Sequence, residues 1–274
     1  MEPVSRLRLE RRLGAAALAI VVLALGAGQA LAADDRAAEV AQIKSLLESP
    51  DLRERVQAAR QLYDFSGIAD PAPYELIDRR LREDAAGRDP QELAWDAKAL
   101  ASSGNPKYRP TLEALGASKQ GGRLTKHARD ALAVLPDFAR WNPIINNEAT
   151  HVAGEEWGLT RARNMLTSGE PQLQRGGLRR LKAYRSTHPE LYDLVAQELK
   201  KIDLAKAEAA EDIPVLDTAA WFCRALGESG DMKYEALLLE IRRAATTHKI
   251  DKGCKKGWET LKKGGLKTDE KDEE

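Results

Sequence analysis

Cysteine and histidine are scarce in this chain, with two of the first and four of the second in 274 residues. There is no C-x-x-C pair, and two cysteines without a histidine at finger-like spacing make a poor zinc site. Dithiol redox chemistry and a structural zinc are therefore poor readings. Net charge is also lacking, since 43 basic residues balance 43 acidic ones. A nucleic-acid binder would show an electrostatic footprint, so nucleic acid is not expected as a partner. β-Branched residues are sparse and no segment alternates apolar and polar, which argues against half-buried strands. Phosphate loops, nucleotide fingerprints, nucleophile elbows and H-E-x-x-H motifs are all missing. No catalytic residue and no cofactor are assigned.

One apolar run is present, at the start. Arg6, Arg8, Arg11 and Arg12 precede the uncharged stretch 15–33, which ends in small residues at Ala30 and Ala32. A basic start, an apolar segment and a small-residue site read as a secretory leader over 1–32, cut after Ala32 or Ala33. The alternative is an uncleaved membrane anchor, since a span needs about 20 apolar residues. No later run is long enough to span. Without the leader the chain carries 39 basic and 41 acidic residues, a net charge of −2. The expected location is outside the cytoplasm, periplasmic or secreted.

What the chain does contain is a repeat. WDAKALASSGNPKY at Trp95–Tyr108 returns 126 residues later as WFCRALGESGDMKY at Trp221–Tyr234, with seven of fourteen positions identical. Chance at ordinary composition would match about one. The register extends outwards through Arg60/Arg179, Leu62/Leu181, Tyr74/Tyr192 and Ile77/Val195, and onwards through Leu112/Leu238 and Leu135/Leu261. An insertion, DLAKAEAAEDIP, lengthens the second half. The implied layout is a first half at 33–137, a connector at 138–157, a second half at 158–263 and a charged tail at 264–274, read as disordered.

Alanine, leucine and charged residues at helical spacing predict about six short helices per half. Examples are 36–48 with Val40, Ile43 and Leu47 on one face, and a helix opened by Asp89 as N-cap and Pro90 at its first position. Pro136 is expected to end the sixth. Arg175-Gly176-Gly177 weakens the prediction of a helix there.

Segments such as SPDLRERVQAARQL and ADPAPYELIDRRL resemble the HEAT-repeat family in their acidic turn, paired small residues and Asp-Pro turn. The resemblance implies an all-α fold, a right-handed α-solenoid of helical hairpins in which neighbouring hairpins share one core. Two separate helical bundles are the alternative architecture. HEAT-like solenoids generally serve as binding surfaces, so the resemblance implies a scaffold or adaptor that binds another protein. The other reading is an enzyme or a small-ligand or metal-binding protein with its site in 138–157.

Four observations bear on sites. Cys223 and Cys254 fall on core stripes of the fourth and sixth helices of one half, where the first half has Ala97 and Ala128, so a disulfide is expected in an oxidising compartment. The alternative is two buried thiols. Glu148, His151 and Glu155 would share a face if the connector were helical and could then ligate a metal, although a solvated polar turn is the plainer reading. Trp141, Asn146, Asn147 and Trp157 crowd into the connector. They suit carbohydrate or peptide binding if exposed, or cover the junction between halves if buried. Doublets such as Arg179-Arg180 read as solvated helix faces, or as a basic groove for an acidic partner.

Overall fold

A computed structural model describes residues 36–64, 67–84, 87–118 and 122–265. The leader falls outside these residues, as does the charged tail apart from Gly264 and Gly265. The described residues form thirteen α-helices and no strand. In order these are α1 (36–47), α2 (Leu52–Asp64), α3 (Ala72–Asp84), α4 (Pro90–Ser102), α5 (Arg109–Ala117) and α6 (Gly122–Ile145). Then follow α7 (Trp157–Leu166), α8 (Pro171–Tyr184), α9 (Glu190–Lys201), α10 (Leu204–Ala209), α11 (Ile213–Glu228), α12 (Glu235–Ala244) and α13 (His248–Lys262). The chain is all-α, and no helix among the described residues is long and apolar enough to cross a membrane.

The repeated segment folds the same way twice, because the same side chains satisfy the same backbone groups. Ser103 and Ser229 each donate to a leucine carbonyl one turn back, at 2.6 Å in both copies. Each also accepts a backbone N–H from two residues on, at 3.1 Å. Asn105 and Asp231 then accept the N–H of Lys107 and Lys233, both at 3.0 Å, and start a single 3-10 turn. Between them Gly104 and Gly230 hold φ of +65° and +73°, which an L side chain rarely adopts. Lys107 pairs with Glu75 of α3, and Lys233 pairs with Asp193 of α9.

The sixth helix departs from expectation. It passes Pro136 and Pro143 and continues to Ile145, so half of the expected connector is helix. An interior proline costs about 3 kcal/mol, because it removes one hydrogen bond and clashes with the preceding turn. Two such prolines cost about 6 kcal/mol, and burial of Phe138, Trp141 and Ile145, which continue the apolar stripe and pack against Met165 and Leu173, offsets this. Each such side chain contributes roughly 1.5–3 kcal/mol when buried. In the second copy Gly264 and Gly265, both with φ of +85°, stand at the positions of Phe138 and Ala139, and α13 ends just before them at Lys262.

Two further features belong to the second half. The insertion after α9 folds as α10, and its Glu208 accepts the N–H groups of Thr246 (2.9 Å) and Thr247 (2.8 Å), supporting the turn into α13. Gly176 and Gly177 do not interrupt α8, which runs unbroken. A Cβ on Gly177 would meet the Leu166 backbone nitrogen at 3.1 Å, so the glycines let α8 approach α7 closely.

Three apolar clusters form the interior: one in each half, and a smaller one where α6 meets α7 and α8. Cys223 of α11 and Cys254 of α13 are joined by a disulfide, with Cα atoms 4.7 Å apart. Around it the two helices are in backbone contact. A Cβ on Gly257 would collide with the Cys223 carbonyl oxygen, and one on Gly227 with the Gly257 carbonyl oxygen.

Candidate functional site

Extension of α6 past Pro136 builds a groove, because it carries Phe138 and Trp141 alongside α2, α8 and α11. The groove has a volume of about 610 Å³ and takes lining residues from both halves. Tyr63 stands on one side, its ring 5.8 Å from that of Phe138. Phe138 in turn meets Trp141 edge-on at 5.4 Å. Across from them α8 presents Arg175, Arg179 and Arg180, and α11 presents Trp221. Asp64 is the carboxylate in the lining.

The three arginines differ in environment. Arg180 is buried at 8% exposure and its Nη1 lies 2.7 Å from Met165 Sδ. Burial, with Arg161 and Arg179 nearby, pulls its pKa down to about 10, and Asp64 partly offsets this. Arg175 leans towards Asp217 at 3.4 Å, and Asp217 also pairs with Lys249. Arg179 is exposed and forms no ion pair with any described residue. Trp141 is 7% exposed, and its indole N–H is buried with no acceptor among the described residues. Burying an amide-like donor without a partner costs about 1–3 kcal/mol.

The repeat supplies an internal comparison. In the first copy Trp95 is half-buried, with Arg60 at 5.0 Å and Lys98 at 4.2 Å over its ring and Tyr63 against its edge at 6.2 Å. Its counterpart Trp221 is 41% exposed, and only Arg224 approaches its ring, at 5.8 Å. Arg179 occupies the position of Arg60 and Lys182 that of Tyr63.

The connector residues singled out from the sequence are placed differently. Only Glu148–Thr150 is helical, as a single 3-10 turn, so Glu148, His151 and Glu155 do not share a helix face. Glu148 pairs with Arg36 (2.6 Å) and Glu155 with Arg163, while His151 Nδ1 lies 2.8 Å from Thr160 Oγ1. Burial alone would raise the Glu155 pKa, but Arg163 and Thr160 hold it below the ordinary value. Among the described residues, no three histidine, cysteine or acidic side chains converge as metal ligands would.

Of the four binding candidates, Trp141 alone reaches the groove. Trp157 is 4% exposed, stacked under His151 at 4.3 Å with Arg36 also over its ring. Asn146 donates to the Asn142 carbonyl, and Asn147 caps the 3-10 turn by accepting from Ala149. The tryptophans of the connector are therefore buried where the halves meet. Sequence reasoning missed Arg175, Arg179 and Trp221 as a set. The available signal was the unequal surroundings of the paired Trp95 and Trp221.

A second concentration of charge lies at the far end of the first half. Glu92 is 1% exposed and receives Arg55 (2.7 Å), Arg88 (2.8 Å) and Arg80. Burial would raise its pKa, but the arginines hold it below the ordinary value. One turn on, Asp96 is fully buried, and neither carboxylate oxygen has a hydrogen-bond partner. Arg55 also donates to the Ser49 and Pro50 carbonyls and Arg80 to that of Leu47, so the cluster ties α1 through α4 together.

No family model matches the chain, and no curated protein matches it. Among solved structures, an engineered protein from a structural-genomics consortium is similar at 20% identity. The match covers 83% of this chain and 98% of that one, with a TM-score of 0.29. A likeness that loose carries no argument about topology or activity.

Proposed function

We propose that this chain is an exported, periplasmic scaffold or adaptor: a right-handed HEAT-like α-solenoid of two duplicated halves that binds another protein. The observation that carries the reading is the groove at the junction, where Trp221 and Arg179, both exposed, stand beside the buried aromatics of α6. Exposed tryptophan and arginine side chains grouped in a depression are the residues that dominate protein–protein affinity. The matched turns at Ser103–Tyr108 and Ser229–Tyr234 support the duplication. Export rests on the basic and apolar character of 1–32, and a disulfide suits an oxidising compartment.

Cell fractionation followed by affinity capture from the periplasm, with mass spectrometry of what is retained, tests the reading. A protein retained in stoichiometric amount is the expected result. Recovery of the chain in the cytosol, or turnover of a small substrate with no protein retained, would overturn it.

A further inference from the structure

We propose that the junction groove binds an extended acidic segment of another protein, one carboxylate held by Arg179 and one apolar side chain laid on Trp221. This rests on the reading of the chain as a protein-binding module and adds the chemistry of what is bound.

Three observations converge. The first is the contrast between copies. Where the fold has no use for an open tryptophan, it covers the ring, as Arg60, Lys98 and Tyr63 cover Trp95. At the equivalent place Trp221 stays 41% exposed and Arg179 has left the ring for the groove. Both copies share a backbone solution at this turn, so the difference lies in side chains that α11 and α8 do not need for packing.

The second is charge. Arg175, Arg179 and Arg180 line the groove against Asp64. Asp217, which Arg175 approaches, is shared with Lys249. Even with Asp217 and Lys249 counted, cations exceed carboxylates by two, in a chain that is neutral overall. Burial first, and then Arg161 and Arg179, lower the Arg180 pKa, with Asp64 and Tyr184 partly offsetting them.

The third is the aromatic wall beside that charge, where Tyr63, Phe138 and Trp141 line the groove opposite the arginines of α8. A carboxylate can accept from an exposed guanidinium such as that of Arg179, and a charge-assisted bond of this kind is about twice as strong as a neutral one. An enclosed pocket for a small molecule would bury 70% or more of the ligand. A site whose rim tryptophan is 41% exposed instead suits one face of an extended chain.

The test is fluorescence anisotropy with three end-blocked, labelled octapeptides of identical spacing: acidic EEFEDEFE, its neutral analogue QQFQNQFQ and its basic analogue KKFKKKFK. The full chain should bind the acidic peptide at least about tenfold more tightly than the neutral one and should not bind the basic one. Arg179→Glu and Trp221→Ala should each weaken binding by about tenfold or more, and Arg243→Glu, on an exposed residue of α12 outside the groove, should leave it unchanged. Circular dichroism of each variant establishes that it folds. Both variant sites are exposed, and Arg179→Gln gives a milder second variant that should lose less. Affinity should also fall between 50 and 500 mM salt.

Equal binding of acidic and neutral peptides, or full affinity in folded Arg179→Glu, overturns the proposal. Two alternative occupants would also overturn it. One is a free aromatic carboxylate such as phenylacetate binding as tightly as the peptide. The other is tenfold tighter peptide binding once residues 266–274 are removed, which would identify the acidic tail as the occupant. A captured partner whose retention ignores Arg179→Glu leaves the adaptor reading standing and removes only this inference.

Discussion

Arg161 of α7 grips Glu39 of α1 with both ends of its guanidinium, at 2.8 and 2.9 Å, across 122 residues of sequence. The arginine is 1% exposed, so the carboxylate is what keeps a buried charge compensated and what fastens the start of the first half to the start of the second.

Removal of that carboxylate leaves a cation buried alone, which costs about 3–5 kcal/mol in comparable pairs. Glu39→Ala should therefore lower the urea midpoint sharply. Glu148→Ala breaks the exposed pair with Arg36, whose side chains are 34% and 66% exposed, and should change stability by less than about 1 kcal/mol. Equal effects from the two variants would contradict the assignment of the first as the fastening.

Asp96 makes stability depend on pH in a sense opposite to that of most carboxylates. Burial pushes its pKa up to about 7, with Arg80, Arg88 and Arg55 only partly offsetting it and Glu92 adding to it. In the unfolded chain an aspartate titrates near 3.9, so between roughly pH 4 and 7 the folded state holds a proton that the unfolded state has released. The stabilisation is complete below pH 4 and is lost as pH rises through 7. Asp96→Asn should match the parent at pH 4 and exceed it by a few kcal/mol at pH 8, seen in denaturant melts at both values. Glu92, with its lowered pKa, acts in the other direction and only at the acid end of that window.

Gly257 admits no side chain. Alanine there would drive its Cβ into the Cys223 carbonyl and separate α11 from α13. Overpacking of this kind costs about 1–3 kcal/mol, and Gly257→Ala should lower the melting temperature accordingly. Position 131, its equivalent in the first half, already carries alanine. Reduction of the Cys223–Cys254 bond, which closes a separation of 31 residues, should cost a further 3–4 kcal/mol or so, read from melts with and without reductant.

Trp95 and Trp221 should respond unequally to truncation. Trp221→Ala removes a ring that is 41% exposed and should shift stability by about 0.5 kcal/mol or less. Trp95→Ala strips cover from Tyr63, Arg60 and Lys98 and should cost more, by thermal melts under one set of conditions.

The helices and their caps were legible because the signals are local. Asp89 and Pro90 start α4 through bonds to Gln91 and Glu92 that lie two and three residues away. The disulfide was legible through the repeat, which put both cysteines on facing stripes. The continuation of α6 was not, since a local rule about Pro136 is overruled by burial of Phe138, Trp141 and Ile145 against a helix far along the chain. For the same reason Arg179 and Arg180 looked alike in sequence. One reaches the groove rim and the other lies under Met165, and only the packing of α7 on α8 separates them.

The seats at Gly104 and Gly230 bear on copy number. A Cβ at Gly104 would strike the Ala139 nitrogen at 2.5 Å, and one at Gly230 would strike the Gly264 oxygen at 2.5 Å, so each turn receives whatever follows the last helix of its own unit. In the first unit that is more helix, which delivers the chain to a second unit. In the second it is a pair of glycines that turn the chain aside. Pro136–Ala139 and their equivalents Lys262–Gly265 thus decide whether each turn is met by helix or by glycine backbone. A third unit grafted after the second would need, beyond these four residues, counterparts of Trp141 and Ile145 and a surface like that of Met165 and Leu173 to bury them.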